Sequence, residues 1–169
     1  VLGLRLTEYL ARQGEIDQRL IIGLDQRAYL NSCAIAGLPD GACGTAGESV
    51  TVQPLTVEFT AQRGGERPAG LNIALLHNLG LGGRYGQVRN FEAVRIGARQ
   101  RYSAMRMGLF ATLPLSDGWQ LQARVNGQVS DDALVPGEQF GLGGANSLRG
   151  YEERELLGDS GMQGALELV

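Results

Sequence analysis

The residues best suited to chemistry lie in one stretch without a regular pattern, residues 131–161. Loops of this length are uncommon in compact domains and are usually functional. The stretch contains four closely spaced glycines, Gly137, Gly141, Gly143 and Gly144. Arg149 and Tyr151 flank Gly150 at the expected tip, where the arginine fork could hold a carboxylate and so plug or gate a cavity. An ordinary surface loop with a solvated arginine is the alternative.

The missing residue types exclude most enzyme chemistry. All 15 basic residues are arginine, so a P-loop lysine, a Schiff-base lysine and a Ser-Lys dyad are impossible. His77 is the only histidine, which excludes a multi-histidine metal site. We therefore predict no covalent catalysis, no metal and no cofactor, and we expect His77 to be structural.

The charge and hydropathy patterns limit the partners. With 15 Lys and Arg against 18 Asp and Glu, the net charge is −3, and scattered arginines argue against a nucleic-acid partner. The sequence contains no run of 18 apolar residues, so it predicts no transmembrane helix. The chain begins at Val1 without a basic-then-apolar leader, which is typical of a processed chain or a fragment.

Alternation of apolar and polar residues with period two recurs along the chain and predicts β-strands. In the clearest segment, 119–130, one face is apolar or small and the other is polar. Seven strands are predicted, near residues 2–10, 19–30, 55–62, 71–79, 105–113, 119–130 and 163–168. Between residues 91 and 104 the apolar phase changes, and we interpret this as a bulge or an extended strand.

The predicted connections alternate in length. Short ones lie near 14–16, 64–68 and 115–118, and long ones lie near 31–49, 80–90 and 131–161. This asymmetry is typical of an outer-membrane β-barrel, in which polar strand faces line a water-filled interior. The predicted pore-lining residues are Asp25, Arg27, Glu58, Arg106, Gln122, Arg124, Asn126, Gln128 and Glu167. A soluble β-sandwich binding module shows the same local alternation and stays open as an alternative.

Seven strands do not close a barrel of even strand number. We therefore expect residues 1–169 to be part of one larger transmembrane barrel domain that contacts outer-membrane lipid.

Cys33 and Cys43 fall in a predicted extracellular loop, and assembly through an oxidising periplasm favours a disulfide worth about 2–3 kcal/mol over two free thiols. Trp119 follows a short turn, which suits an interfacial anchor or simple packing.

One run of sequence resembles a known family. It reads Pro-Gly-Glu-Gln-Phe, later Gly-Gly-Ala-Asn-Ser-Leu-Arg-Gly-Tyr-Glu-Glu-Arg-Glu, and then Gly-Asp-Ser-Gly. This run resembles the signature loop of the haemolysin secretion/activation proteins of the ShlB/FhaC/HecB type, which are outer-membrane transporters of two-partner secretion. The resemblance extends to the order of strands and loops along the whole chain.

The resemblance implies an antiparallel barrel of 16 strands in the outer membrane of a Gram-negative bacterium. It also implies two periplasmic POTRA domains that capture a secreted exoprotein, which then crosses the barrel unfolded. The signature loop would fold into the lumen and pair its arginine with a carboxylate of the wall. The matching lid-loop residues are Gly143, Gly144, Leu148, Arg149, Gly150 and Tyr151.

Two departures limit what the resemblance implies. The POTRA domains are absent from these residues, and the family's wall carboxylate lies on a strand after Val169. Asp25, Glu58 and Glu167 face inward by parity, but none is assigned as the partner of Arg149. An outer-membrane protein insertase of the same superfamily is the alternative function.

Overall fold

The computed structural model describes residues 1–37, 42–144, 147 and 150–169. Within these residues the chain is all-β apart from one short α-helix and three 3₁₀ turns. The strands are β1 (Leu2–Tyr9), β2 (Ile16–Tyr29), β3 (Val50–Val52), β4 (Pro54–Arg63), β5 (Ala69–Asn78), β6 (Ser103–Pro114), β7 (Gln120–Val129), β8 (Phe140–Leu142), β9 (Leu156–Gly158) and β10 (Gly161–Leu168). The helix is α1 (Val88–Val94).

Seven long strands form one open antiparallel sheet in the order β1-β2-β4-β5-β6-β7-β10. Each long strand pairs with the long strands that precede and follow it in the chain. Short turns and longer loops alternate between these strands. The short strand β3 extends the pairing of β2, and β8 with β9 forms a separate hairpin. The predicted all-β antiparallel class with seven long strands is therefore confirmed.

The strand register sorts the side chains onto two faces. Across β5 and β6, Asn72 lies opposite Gly108 and Ile73 lies opposite Met107, so polar and apolar rows alternate through the sheet. We call the two sides the polar face and the apolar face. The polar face carries all nine residues that parity selects as pore-lining, Asp25, Arg27, Glu58, Arg106, Gln122, Arg124, Asn126, Gln128 and Glu167.

The apolar face is exposed along its length. Leu75, Leu109 and Leu166 are 58%, 51% and 70% exposed, although each lies within a long strand. A soluble β-sandwich would cover such rows with a second sheet, and no element in the described part of the chain does so. This distribution suits a sheet whose apolar face contacts lipid and disfavours the soluble sandwich. No helix in the described ranges is both long and apolar enough to cross a membrane.

The buried apolar core lies on the polar face at the end of the sheet where the long loops meet. Its residues come mainly from β3, from the β5–β6 connection and from the start of the β7–β10 connection. They are Val50, Val52, Leu76, Phe91, Ala98, Tyr102, Leu134 and Val135. Burying apolar side chains from three loops together stabilises their packing against one end of the wall.

The interpretation of residues 91–104 as a bulged or extended strand is wrong. Residues Val88–Val94 form α1, and β6 begins only at Ser103. At the start of the helix, the backbone N–H of Gln87 donates to the Asn90 side chain at 3.1 Å, and the Asn90 N–H donates to the Gln87 main-chain oxygen at 2.9 Å. A helix of seven residues is too short to show a 3.6-residue period.

The structure also gives the positions of the two cysteines, the histidine and the tryptophan named in the sequence. Cys33 and Cys43 form a disulfide with Cα atoms 6.0 Å apart in the connection between β2 and β3. His77 is exposed on the apolar face, with Nδ1 2.9 Å from Oγ of Ser103. Trp119 is 53% exposed and immediately precedes β7.

Candidate functional site

The connection between β7 and β10 lies against the polar face. In this connection, the 3₁₀ turn Pro136–Glu138 places a fully buried Glu138 side chain between Arg27 of β2 and Arg106 of β6. Strands β2 and β6 are separated by β4 and β5, a span of about 14 Å at ordinary strand spacing. The loop therefore lies across the polar face of the sheet rather than projecting into solvent.

Glu138 is held by contacts to both its side chain and its main chain. Its carboxylate accepts from Tyr29 Oη at 2.7 Å, from Arg106 Nη2 at 2.9 Å and from Arg27 Nη1 at 3.2 Å. Its main-chain oxygen accepts from Arg106 Nη2 and Gln128 Nε2, both at 3.1 Å. The buried charge is therefore fully compensated, as a carboxylate out of water must be.

The same residues belong to a longer ion-pair chain. Asp25 accepts from Arg5 Nη2 at 2.8 Å and from Arg27 Nη2 at 2.7 Å. Positive and negative groups thus alternate from Arg5 through Asp25, Arg27 and Glu138 to Arg106. Asp25, Arg27 and Arg106 were predicted as separate pore-lining positions. In the structure Asp25 pairs directly with Arg27, and Glu138 of the loop joins Arg27 to Arg106.

The local sequence allows the loop to approach the wall closely. A Cβ atom at Gly137 would lie 2.4 Å from the ring of Tyr29, so only glycine fits without moving the ring. The Tyr29 hydroxyl is also within 3.2 Å of the Gly137 carbonyl oxygen, to which it can donate. The sequence Pro136-Gly137-Glu138 therefore provides the turn, the close approach and the charge in three successive residues.

A second anchor fixes the loop to the neighbouring connection. Arg95, just after α1, donates to the Asp159 carboxylate at 2.6 and 2.9 Å. Asp159 Oδ1 also accepts from the Leu134 backbone N–H at 3.0 Å and from Gln139 Nε2 at 3.1 Å. The hydrogen bond from Arg95, more than these others, lowers the pKa of Asp159 below its ordinary value of 3.8.

We expect the contribution of Asp159 to disappear in acid. A carboxyl group with a lowered folded-state pKa stabilises the fold above its ordinary pKa, and this stabilisation is lost as the pH falls through the folded-state value. Because Leu134 donates directly to Asp159, hydrogen exchange of its amide should be faster in Asp159→Asn than in the native protein at neutral pH. The difference should vanish only when the pH has fallen below the folded-state pKa of Asp159, which itself lies below 3.8. Equal exchange at neutral pH would contradict this anchor.

The hairpin of β8 and β9 carries the lid-loop motif. Arg154 Nη2 donates to the carbonyls of Pro136 at 2.8 Å and Gln139 at 3.0 Å, which ties the hairpin to the Glu138 turn. Gly143 has φ +117°, and a Cβ atom there would lie 2.1 Å from the Glu152 carbonyl oxygen. A side chain at this position would therefore both strain the backbone and clash.

The rest of the lid-loop motif is only partly described. Gly144 has φ +93°, and its N–H donates to the Tyr151 carbonyl at 3.2 Å. Gly150 also has a positive φ, and the Tyr151 side chain is 54% exposed. Leu148 and Arg149 lie outside the described residues, so the predicted role of Arg149 stays a prediction.

The other predicted wall residues lie apart from the ion-pair chain or at its margin. Glu58 lines a cavity of about 220 Å³ beside Arg5, Arg27 and Arg106. Arg124 and Glu167 approach to 4.0 Å near the opposite end of the sheet. No cluster of three metal-ligating side chains occurs in ranges 1–37, 42–144, 147 and 150–169.

Sequence reasoning missed Glu138, Asp159 and Arg95. It placed the ion pair of the loop at Arg149, whereas in the described residues the loop contributes carboxylates and the wall and neighbouring loop contribute arginines. The sequence Pro136-Gly137-Glu138, which precedes the motif, indicated a turn but not which of its residues contacts the sheet. No periodicity applies within a loop, so position along the sequence could not identify its inward residue.

Comparisons with known proteins identify the family and the fold. Residues 52–168 match the family described as haemolysin secretion/activation protein ShlB/FhaC/HecB. The structure is similar to CdiB from Escherichia coli, with a TM-score of 0.73 and 20% sequence identity over 98% of this chain. The match covers 29% of the CdiB chain. A search of curated protein sequences gives no significant match. The predicted family is confirmed: the chain belongs to the haemolysin secretion/activation proteins ShlB/FhaC/HecB, which lie in the outer membrane of Gram-negative bacteria.

Proposed function

We propose that this chain is part of an outer-membrane β-barrel pore that exports a large exoprotein of the haemolysin or adhesin type in two-partner secretion. The observation that carries the proposal is the loop between β7 and β10, which crosses the charged face of a sheet whose other face is exposed and apolar. That arrangement suits a water-filled passage with an inward-folded loop, surrounded by lipid.

The complete protein would have 16 strands and two periplasmic POTRA domains. The family match and the similarity to 29% of the CdiB chain support the assignment of residues 1–169 to one barrel domain of this larger protein. The POTRA domains would capture the exoprotein, and outer-membrane lipid would cover the apolar face. The chain's own contribution is steric and electrostatic, without covalent chemistry or a cofactor.

The wall chemistry suits the passage of an extended polypeptide. Arg27, Glu58 and Arg106 lie close together on the polar face, and arginine and glutamate also occur at Arg124 and Glu167. A wall with both signs of charge does not trap a chain of either sign. We propose that the loop of residues 131–161, including Arg149, closes this route and moves aside during export.

The test is export by cells that carry the gene of the complete protein, intact or deleted. Deletion should remove from the medium the large exoprotein encoded beside it, and the intact gene should restore it. Heat-modifiable gel mobility checks that other barrels assemble normally. If the exoprotein still reaches the medium while other outer-membrane proteins fail to assemble, the insertase function replaces this proposal.

A further inference from the structure

The Glu138 contacts form a binding site whose ligand belongs to the protein itself. Arg27 and Arg106 converge on one carboxylate from strands that are not neighbours, and Tyr29 adds a third donor. Pairs of guanidinium groups are well suited to carboxylates because their donors are fixed in a planar fork. Arg27 Nη1, Arg106 Nη2 and Tyr29 Oη donate to the carboxylate itself, so a carboxylate of another polypeptide can accept from them in the same way.

We propose that Arg27 and Arg106 form a carboxylate-binding site of the polar wall, which Glu138 occupies as a latch and which acidic side chains of the exported polypeptide occupy when the loop moves aside. This inference rests on the proposed export function. In this proposal Glu138 holds the loop across the polar face, and the two arginines bind acidic segments of an extended peptide.

The charge balance around the site supports an exchange of carboxylates. Three arginines, Arg5, Arg27 and Arg106, stand against three carboxylates, those of Asp25, Glu58 and Glu138. Withdrawal of Glu138 leaves one positive charge uncompensated on the wall. Because an uncompensated charge in a partly buried site is costly, an incoming carboxylate is favoured at the moment the loop departs.

The space beside the site also fits a side chain rather than a small-molecule ligand. The adjoining cavity has a volume of about 220 Å³, and its polar lining consists of Arg5, Arg27, Thr56, Glu58, Asn72 and Arg106. Small-molecule sites commonly have volumes of about 300–1,000 Å³. Three arginines of this lining stand against one glutamate, so the cavity admits the carboxylate end of a further glutamate or aspartate without leaving it unpaired.

The first experiment measures channel opening by the complete transporter in planar lipid bilayers. Glu138→Gln keeps the size of the side chain and its ability to accept from Tyr29 but removes the charge. We expect the ratio of open to closed time to increase about ten-fold or more, because the charge-assisted contacts of Glu138 with Arg27 and Arg106 are both weakened. Glu152→Gln is the matched control, because Glu152 is exposed on the same loop, and it should leave the ratio unchanged.

The second experiment tests the exchange of ligands on the native protein. A short oligoglutamate peptide should increase opening of the native channel by competing with Glu138. It should reduce the current through Glu138→Gln by binding in the pore, and an oligolysine peptide should do neither. Replacing both Arg27 and Arg106 by Gln in the Glu138→Gln background should abolish the block.

Each part of the proposal can be overturned separately. A Glu138→Gln channel that is folded by gel mobility and opens like the native channel would overturn the latch. A current that oligoglutamate does not change would overturn the carboxylate site, and the native-protein measurement decides this even if the variant does not fold. Because the purified channel is measured without exoprotein, failure here is distinguishable from failure of the export function.

Discussion

Replacing Leu109 by arginine in the complete transporter is expected to prevent the folded barrel from accumulating. Leu109 lies within β6 on the apolar face, opposite Leu71 of β5 and Val125 of β7, and is 51% exposed. If that face contacts lipid, a charge in the middle of a strand destabilises the barrel by roughly 2–4 kcal/mol. The measurement is the heat-modifiable band of the folded protein in outer membranes, followed by urea unfolding in lipid vesicles.

Asn126→Arg is the matched control for this substitution. Asn126 lies on β7 at almost the same height, opposite Gly108, but on the polar face. A charge there meets water and wall side chains, so assembly should be close to normal. If Leu109→Arg and Asn126→Arg assembled equally well, the apolar face would not be in contact with lipid and the barrel proposal would fail.

Arg149→Ala is expected to reduce export by about ten-fold or more while leaving barrel assembly intact. The resemblance of residues 143–151 to the lid-loop motif predicts that Arg149 lies at the tip of the loop, and Glu138 of the same loop contacts the polar face. Removal of a charge-assisted pair costs about 1.5–3 kcal/mol, enough for an effect of this size if the pair sets the position of the loop. The measurement is exoprotein in the medium, with gel mobility as the check on assembly.

Two further variants separate a specific role from a general effect of charge. Arg89→Ala removes an exposed arginine of α1 in a different connection and should leave export unchanged. Arg149→Lys keeps the charge but loses the fork of donors, so export should fall between those of the native and alanine proteins. Unchanged export in Arg149→Ala would remove this residue from the gating mechanism and leave the Glu138 contacts as a separate question.

The sequence pattern was informative where the structure is periodic. Side chains of a strand alternate with a period of two, so residues such as Arg124 and Asn126 could be placed on one face from parity alone. The same reasoning failed for α1, which has only seven residues and takes its position from the burial of Phe91 in the loop core. Too few residues repeat there for any period to be visible.

The sequence by itself determined the strand class, the two faces of the sheet and the family, because each depends on a local repeat or a contiguous motif. Only the tertiary structure decided which residue of the long loop reaches the wall. Arg27 and Glu138 are separated by 111 positions. The loop between β7 and β10 carries several other acidic residues, and the local sequence does not distinguish Glu138 from them. Whether two distant charges pair depends on how the sheet and the packed loops bring them together in space. The residues next to each charge in the sequence carry no information about this.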